Sequence, residues 1–129
     1  MHDLRGADHP AAGPDRNARE AAAARLSSQE TANEVRCTLW NKVGIIRNGK
    51  DLCDALRRLN SLLLVRPAGP SSQFYEARNI LEVGKIITQR ALAREESRGA
   101  HYRSDFPLKN EATPAKHSFT SKDAPVFFT

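Results

Sequence analysis

The sequence predicts an all-α fold: an antiparallel three-helix bundle with a disordered N-terminal linker and an irregular C-terminal tail. Apolar side chains recur at helical spacing in three consecutive segments of the 129-residue chain. Short links containing glycine, proline and polar residues separate these segments. Because short links join neighbouring helices end to end, we expect the neighbours to run antiparallel.

The same periodicity divides the chain into three parts. Residues 1–26 are expected to form a linker that is partly helical at its end, where residues 18–26 are rich in alanine but carry little to bury. Residues 27–107 are expected to form the helical domain. Residues 108–129 are expected to form an irregular tail, since Pro114 and Pro125 interrupt it. Its apolar end, residues 126–128, is expected to pack on another surface.

The first helix is predicted to begin at Ser27, which has the spacing of a capping box with Glu30. Its apolar face holds Val35, Leu39, Trp40 and Val43. A single tryptophan on such a face is usually a core residue, so we expect Trp40 to anchor the core. Gly44 is expected to end the helix in the left-handed conformation.

The second helix follows a polar link at residues 45–49, with Asn48 or Gly49 as its N-cap. An anion site formed by Arg47 to Lys50 is the less favoured interpretation of this link. The apolar stripe of the second helix comprises Leu52, Ala55, Leu56, Leu59, Leu62 and Leu63.

The third helix is predicted over residues 72–98, after a break at Pro67, Gly69 and Pro70. One stripe carries Ala77, Ile80, Leu81, Gly84, Ile87, Ala91 and Leu92. A glycine inside a helix costs about 1 kcal/mol relative to alanine. Close approach of a neighbouring helix is the simplest reason for Gly84.

Composition narrows the functional classes. The net charge is +5, but basic residues are spread along the chain among acidic ones, which favours a solvated surface over nucleic-acid binding. The longest apolar run is residues 62–65, too short for a membrane helix, and no secretory signal is visible, so a cytoplasmic protein is expected. Cys37 and Cys53 are expected to be reduced thiols packed on helices.

No catalytic, cofactor-binding or metal-ligating residue is predicted in this chain. No two of its glycines have the GxG spacing of a dinucleotide turn, and its four histidines lack ligand-like spacing. Ser97 lies near Glu96 and His101 but outside any GxSxG elbow. A serine at a helix end more often bonds to nearby backbone.

Three stretches resemble one family of flavoproteins. They are LWNKVGIIRNGKDLCDALRRL at residues 39–59, EARNILEVGKIITQRALAREESRGAHYRSDFP at 76–107, and KHSF at 116–119. Together they resemble the C-terminal helical domain of the L-aspartate oxidase, succinate dehydrogenase and fumarate reductase flavoproteins. The motif ARxESRGAHYRxDFP, at Ala93 to Pro107, is the most specific element. The short segment 66–73 and the tail favour the L-aspartate oxidase branch.

The resemblance implies an oxidoreductase whose complete form holds FAD in an N-terminal domain and closes a capping domain over a dicarboxylate. It implies oxidation of aspartate to iminoaspartate for NAD biosynthesis. This chain shows none of the cofactor or substrate motifs, so it is expected to be non-catalytic alone and to be a fragment or split product. Its expected partners are the flavin-binding and capping domains, in cis or as a separate chain, with no membrane and no nucleic acid.

Six residues of the motif are the candidate docking residues, namely Arg94, Glu96, Ser97, Arg98, Gly99 and His101. Polar groups clustered beside aromatics favour a contact surface with the flavin-binding body. The alternative is local: Gly99 caps the third helix, while Arg94 and Arg98 stabilise its negative end.

Two other functions stay open from the sequence. The chain could be the same domain of a succinate dehydrogenase or fumarate reductase flavoprotein, which contacts an iron-sulfur subunit. It could also be a free-standing basic helical module that binds an acidic partner, whose affinity would fall steeply with salt.

Overall fold

The computed structural model describes residues 24–129. Within this range there are three helices, α1 (Ser28–Lys42), α2 (Gly49–Ser61) and α3 (Ser72–Ala93). Six short strands form three two-stranded sheets. The strands are β1 (Ala24–Leu26), β2 (Ile46–Arg47), β3 (Leu62–Leu64), β4 (Tyr102–Arg103), β5 (Ser118–Ser121) and β6 (Ala124–Phe128). The prediction of a mostly helical domain with three helices is confirmed, whereas the all-α class is wrong.

Each helix begins at a side-chain cap. The predicted capping box is present at α1, where Glu30 N–H donates to Ser27 Oγ and Ser27 N–H donates to Glu30 Oε2 at 2.9 Å. Asn48 caps α2, since its Oδ1 accepts from the Asp51 N–H at 2.8 Å. Ser71 caps α3. The N-cap predicted at Asn48 is therefore confirmed, whereas the tight polar turn predicted before it is in part the strand β2 at Ile46–Arg47.

Two helix ends differ from the predictions. Helix α1 ends at Lys42 with Val43 as its C-cap, and Gly44 is not left-handed. Arg47 explains this, because its Nε donates to the carbonyl oxygens of Val43 at 3.2 Å and Gly44 at 2.9 Å. A side chain thus binds the carbonyl of the C-cap residue and the carbonyl after it, so this helix end is held without a left-handed glycine. Helix α3 ends at Ala93, five residues before the predicted end.

The core consists of two apolar clusters to which all three helices contribute. Val35, Leu59, Leu62 and Leu81 form one cluster, and Val43, Leu52, Ala55 and Ala91 form the other. Leu39 packs against both. A Cβ atom on Gly84 would lie 3.3 Å from Leu39 Cδ1 and 3.4 Å from Val35 Cγ1. The close helix approach predicted at Gly84 is therefore present.

Several residues expected in the core are exposed. Trp40 is 85% exposed, so its predicted role as a core anchor is wrong. The reason is angular: Leu39 faces the core, and the next residue of a helix points about 100° away. Ile87 and Leu63 are also exposed, and Cys37 and Cys53 are free but exposed rather than packed.

Both ends of the described chain form strands. Residues 24–26, predicted as partly helical, pair in parallel with Leu62–Leu64 as β1 and β3, because tertiary contacts override the helix propensity of an alanine-rich segment. The rest of the predicted linker lies outside the described residues. The tail is not wholly irregular, since β5 and β6 form an antiparallel hairpin in which Phe119 and Phe127 stack at 5.5 Å.

Within residues 24–129, none of the helices combines the length and the apolar character that crossing a bilayer requires.

Candidate functional site

The motif segment forms a polar loop after α3. Gly99 has φ +58° and lies in a tight turn in which Arg98 N–H donates to the His101 carbonyl at 2.8 Å and His101 N–H donates back at 3.1 Å. The left-handed conformation expected of Gly99 is present. Its predicted role as the C-cap of the third helix is wrong, because α3 has already ended at Ala93, with Arg94 as the C-cap.

Glu96 lies at the centre of the loop. Arg94 Nη1 lies 2.8 Å from one carboxylate oxygen of Glu96, and Arg98 Nη2 lies 3.0 Å from the other. The backbone N–H of Asn110 also donates to Oε2 at 3.2 Å. Burial raises the pKa of Glu96, but the Asn110 N–H and the two arginines outweigh it and hold the pKa below its usual value. Glu96 is therefore a paired carboxylate.

Both arginines continue from Glu96 to the tail. Arg98 Nη2 donates to the carbonyl oxygen of Asn110 at 2.9 Å, and Arg94 Nη2 donates to that of Lys116 at 2.6 Å. The Arg94 guanidinium also lies over the Phe128 ring. These contacts border an open pocket of about 340 Å³ between residues 93–96, residues 110–116 of the tail and Phe128. The motif arginines therefore hold the tail against the end of α3.

Ser97 is a local backbone bonder, as the sequence suggested. Its Oγ accepts from the Arg103 N–H at 2.9 Å and donates to the Phe106 carbonyl at 2.8 Å. His101 is engaged elsewhere, so the two side chains do not form a nucleophile and base.

His101 bridges two segments that are distant in sequence. Arg47 Nη1 lies 2.9 Å from Nδ1 of His101, and Nε2 of His101 lies 3.1 Å from the Arg94 carbonyl. A guanidinium can only donate, so Nδ1 accepts and Nε2 carries the proton. Burial lowers the pKa of His101, and the positive charges of Arg47, Arg94 and Arg103 lower it further, although the Arg94 carbonyl opposes them. His101 is thus a neutral imidazole in a cationic surrounding.

Arg103 is the central residue that the sequence reasoning missed. It is 2% exposed, and its Nη1 donates to the carbonyl oxygens of Ala91 at 3.2 Å and Leu92 at 2.8 Å, at the C-terminal end of α3. Its Nε and Nη2 donate to Asp105 at 2.9 and 2.7 Å. A basic residue close after a helix end is a signal for such a contact. Arg103 lacks that signal in the sequence, because the intervening turn places it ten residues after Ala93.

Asp105 connects this arginine to α2. Its Oδ2 also accepts from the backbone N–H of Gly49 at 2.9 Å, at the start of that helix. The hydrogen bonds from Arg103, with a further contribution from Gly49, hold the pKa of Asp105 well below its usual range. The same pair raises the pKa of Arg103. Arg103 and Asp105 therefore join the end of α3 to the beginning of α2.

The two-stranded ribbon of β2 and β4 has two different faces. Ile46 pairs with Tyr102 and Arg47 pairs with Arg103. The arginines point inward to the contacts described above, while Ile46 and Tyr102 are exposed. Successive side chains of a strand point to opposite faces, which explains the division.

The arrangement is suited to holding a helix end and a tail in place. Among residues 24–129, no three His, Cys, Asp or Glu side chains gather as metal ligands. The described residues also do not fit an FAD site, because no Gly-x-Gly turn joins a strand to a helix among them to hold the pyrophosphate. The helix N-termini that could bind it are capped by Ser27, Asn48 and Ser71. The six motif residues are brought together, but their contacts lie within the chain.

Comparison with known proteins gives a family match. Residues 71–126 match the model described as "Fumarate reductase flavoprotein C-term". The L-aspartate oxidase of Acinetobacter baylyi is 39% identical over 105 residues, which cover 73% of this chain and 19% of that protein. A fumarate reductase (CoM/CoB) subunit of Methanothermobacter marburgensis is 35% identical over 88 residues, which cover 60% of this chain and 16% of that protein.

A solved structure shares the fold. Sdh1 of Mycobacterium smegmatis, in complex with UQ1, has a TM-score of 0.58 and 23% identity, covering 92% of this chain and 25% of that chain. The chain therefore spans less than a fifth of the two curated relatives named above and a quarter of Sdh1.

Proposed function

We propose that this chain is the helical domain of an L-aspartate oxidase-like enzyme. The chain belongs to the succinate dehydrogenase and fumarate reductase flavoprotein family and carries its C-terminal domain. In this proposal the domain packs against flavin-binding and capping domains, in cis or as a separate chain, in the cytoplasm. Those domains hold FAD and oxidise aspartate to iminoaspartate for NAD biosynthesis. The helical domain itself contributes no cofactor or substrate ligand.

The observation that carries the oxidase branch is the match to the Acinetobacter baylyi enzyme. Its 39% identity extends over 105 residues, against 35% over 88 residues for the fumarate reductase protein. The internal contacts of the motif support a structural role for this domain. Glu96, Ser97, His101 and Arg103 all bind groups of this chain, as residues with a structural role do.

The proposal includes the predicted antiparallel three-helix bundle. Along α1 the cluster residues run from Val35 to Val43, and along α3 from Leu81 to Ala91. Along α2 the order is reversed, because the chain meets the cluster of Val43 and Ala91 first, at Leu52, and the cluster of Val35 and Leu81 afterwards, at Leu59. This order supports α2 running antiparallel to α1 and α3.

The second candidate is the same domain in a succinate dehydrogenase or fumarate reductase flavoprotein. The description of the matching family model and the shared fold of Sdh1 favour it. The two candidates differ in the flavin-binding protein against which the domain packs. Combining the domain with each of these proteins therefore separates them.

The test uses two chimeras. In one, residues 27–129 replace the matching region of the Acinetobacter baylyi L-aspartate oxidase; in the other, they replace that of Mycobacterium smegmatis Sdh1. Each is purified beside the same recipient without any helical domain, and the FAD bound per chain is measured by absorbance.

The oxidase proposal predicts that the domain restores FAD binding and aspartate oxidation in the first chimera. Better FAD retention in the Sdh1 chimera would favour the second candidate. Restoration in neither, or FAD bound by the 129-residue chain alone, would contradict the proposed function.

A further inference from the structure

One side of the α1 and α3 pair carries large apolar side chains that face solvent. Trp40 is 85% exposed, Val83 53%, Ile87 46% and Ile86 38%. Together with Arg90, these residues define the α1–α3 face. Its exposed apolar area is on the order of 400 Å², which is within the range of the largest patch on a typical monomer and often functional.

The contacts between α1 and α3 place these residues on one side. Arg36 forms an ion pair with Glu76 at 3.2 Å, and further along both helices Leu39 lies against Gly84 and Val43 shares a cluster with Ala91. Trp40 is one turn after Arg36 on the same helical face. Val83, Ile87 and Arg90 follow Glu76 at intervals of seven, eleven and fourteen residues, so they continue the side marked by the ion pair.

Arg90 gives the face a specific chemistry. Its Nε is buried and has no hydrogen-bond partner among the described residues. Arg90 also takes part in none of the salt bridges found in residues 24–129. Because Nε is closed to solvent, a group from outside can meet Arg90 only at the two outer nitrogens of its guanidinium, which make no hydrogen bond within the described residues. A carboxylate is the group that best satisfies such charged donors.

A second copy of the chain does not supply that carboxylate from the same face. Glu76 is paired with Arg36, and the nearby Glu82 is paired with Lys85 at 3.3 Å. Symmetric self-association through the face would therefore bring together two apolar surfaces and leave each Arg90 without an acidic partner. The occupant that fits is a different surface, apolar at its centre and acidic opposite Arg90.

We infer that the α1–α3 face is the docking surface of this domain for the flavin-binding body of an L-aspartate oxidase-like protein, with Arg90 paired to a carboxylate of that body. This inference rests on the proposed function. The relatives are several times longer than this chain, so most of their surface lies outside the region that it matches. A standard interface buries about 800 Å² per partner, so the face supplies an apolar centre that polar neighbours complete.

The inference also separates docking from the sequence motif. Arg94, Arg98 and Glu96 neutralise one another, and their remaining donors bind the tail. Arg90 and the apolar residues of the face have no such internal partners. The motif therefore shapes the end of α3, while the α1–α3 face makes the contact.

The experiment compares matched substitutions in the oxidase chimera. Val83→Glu and Arg90→Glu change the face. Val65→Glu and Arg66→Glu are the controls, because Val65 is 51% exposed against 53% for Val83 and Arg66 is an exposed arginine beside it, both away from the face. The measurement is the FAD retained per chain after desalting. Thermal unfolding of the full 129-residue chain with each substitution checks the fold.

Burying an added carboxylate, or opposing two carboxylates, should lower FAD retention about tenfold or more in both face variants and leave both controls at the level of the parent chimera. Equal retention in face and control variants of a working chimera would overturn the docking surface while leaving the proposed function intact. A free chain that sediments as a dimer, and that Val83→Glu but not Val65→Glu dissociates, would also overturn it. Failure of the unsubstituted chimera contradicts the proposed function itself, and the docking surface falls with it.

Discussion

Arg47 Nη1 lies 2.9 Å from Nδ1 of His101, which joins the link before α2 to the turn after α3 through an imidazole that must accept the bond. Protonation of His101 removes the lone pair and places a fourth positive charge beside Arg47, Arg94 and Arg103. The contact is therefore specific for the neutral ring.

The first prediction concerns pH. The pKa of His101 in the folded chain is below its ordinary value of 6.5, so the unfolded chain binds more protons between these two values. The stability that His101 contributes is therefore present above pH 6.5 and is lost as the pH falls through the folded pKa. Urea unfolding between pH 8 and pH 5 should show this loss in the wild type and a weaker one in His101→Gln. His117→Gln, at an exposed histidine, should keep the wild-type slope; equal slopes in all three chains would contradict the prediction.

The second prediction concerns the Arg103 and Asp105 pair. Asp105→Asn leaves the guanidinium of Arg103, which is 2% exposed, without its carboxylate and weakens the bond to Gly49. Removing one partner of a buried pair costs 3–5 kcal/mol, and the 36% exposure of the Asp105 side chain reduces this to about 1–3 kcal/mol. Urea unfolding measures the change. Glu111→Gln, which breaks the exposed pair with Lys109, should change stability by less than about 0.5 kcal/mol; a similar loss in both variants would contradict the claim.

The third prediction concerns the helix approach at Gly84. Leucine there would collide with Val35 and Leu39, whose side chains already lie 3.3–3.4 Å from the position of a Cβ. Gly84→Leu should therefore destabilise the chain by about 1–3 kcal/mol despite its better helix propensity. Asn79→Leu adds the same side chain at an exposed position of α3 and should be close to neutral. Thermal unfolding would contradict this account if Gly84→Leu were the more stable variant.

The fourth prediction concerns two adjacent residues of α1. Leu39 packs on both core clusters, so Leu39→Ala should cost about 2–4 kcal/mol, whereas Trp40→Ala, at an 85% exposed position, should cost less than about 1 kcal/mol. Chemical unfolding followed by circular dichroism suits both variants. A larger loss of stability for Trp40→Ala than for Leu39→Ala would contradict this prediction and would indicate that Trp40 packs in the core.

The sequence was most informative where structure depends on nearby residues. The capping box of Ser27 and Glu30 and the Asn48 cap could be predicted because they rest on residues three positions apart. Gly84 could be interpreted because a glycine inside a helix has few structural reasons. The sequence was less informative about residues at the edge of a helix's apolar face. Trp40 follows Leu39, which faces the core, and lies beyond that edge.

The contacts missed from the sequence join residues that are distant along the chain. Arg47 binds the carbonyl oxygens of Val43 and Gly44 just after α1, and Arg103 binds the end of α3 from beyond a turn. Nothing local distinguishes these arginines from solvated ones, since their role depends on which strands pair. The β5 and β6 hairpin was hidden for a similar reason, because Pro125 suggested a break although proline is tolerated on an edge strand.

The most direct test of the central claim is anaerobic addition of L-aspartate to the chimera in which residues 27–129 of this chain complete the Acinetobacter baylyi oxidase. If the chain is the helical domain of such an enzyme, the chimera holds FAD and its flavin absorbance bleaches when aspartate is added. A folded chimera that holds no FAD, or whose FAD stays oxidised in the presence of aspartate, would contradict the account.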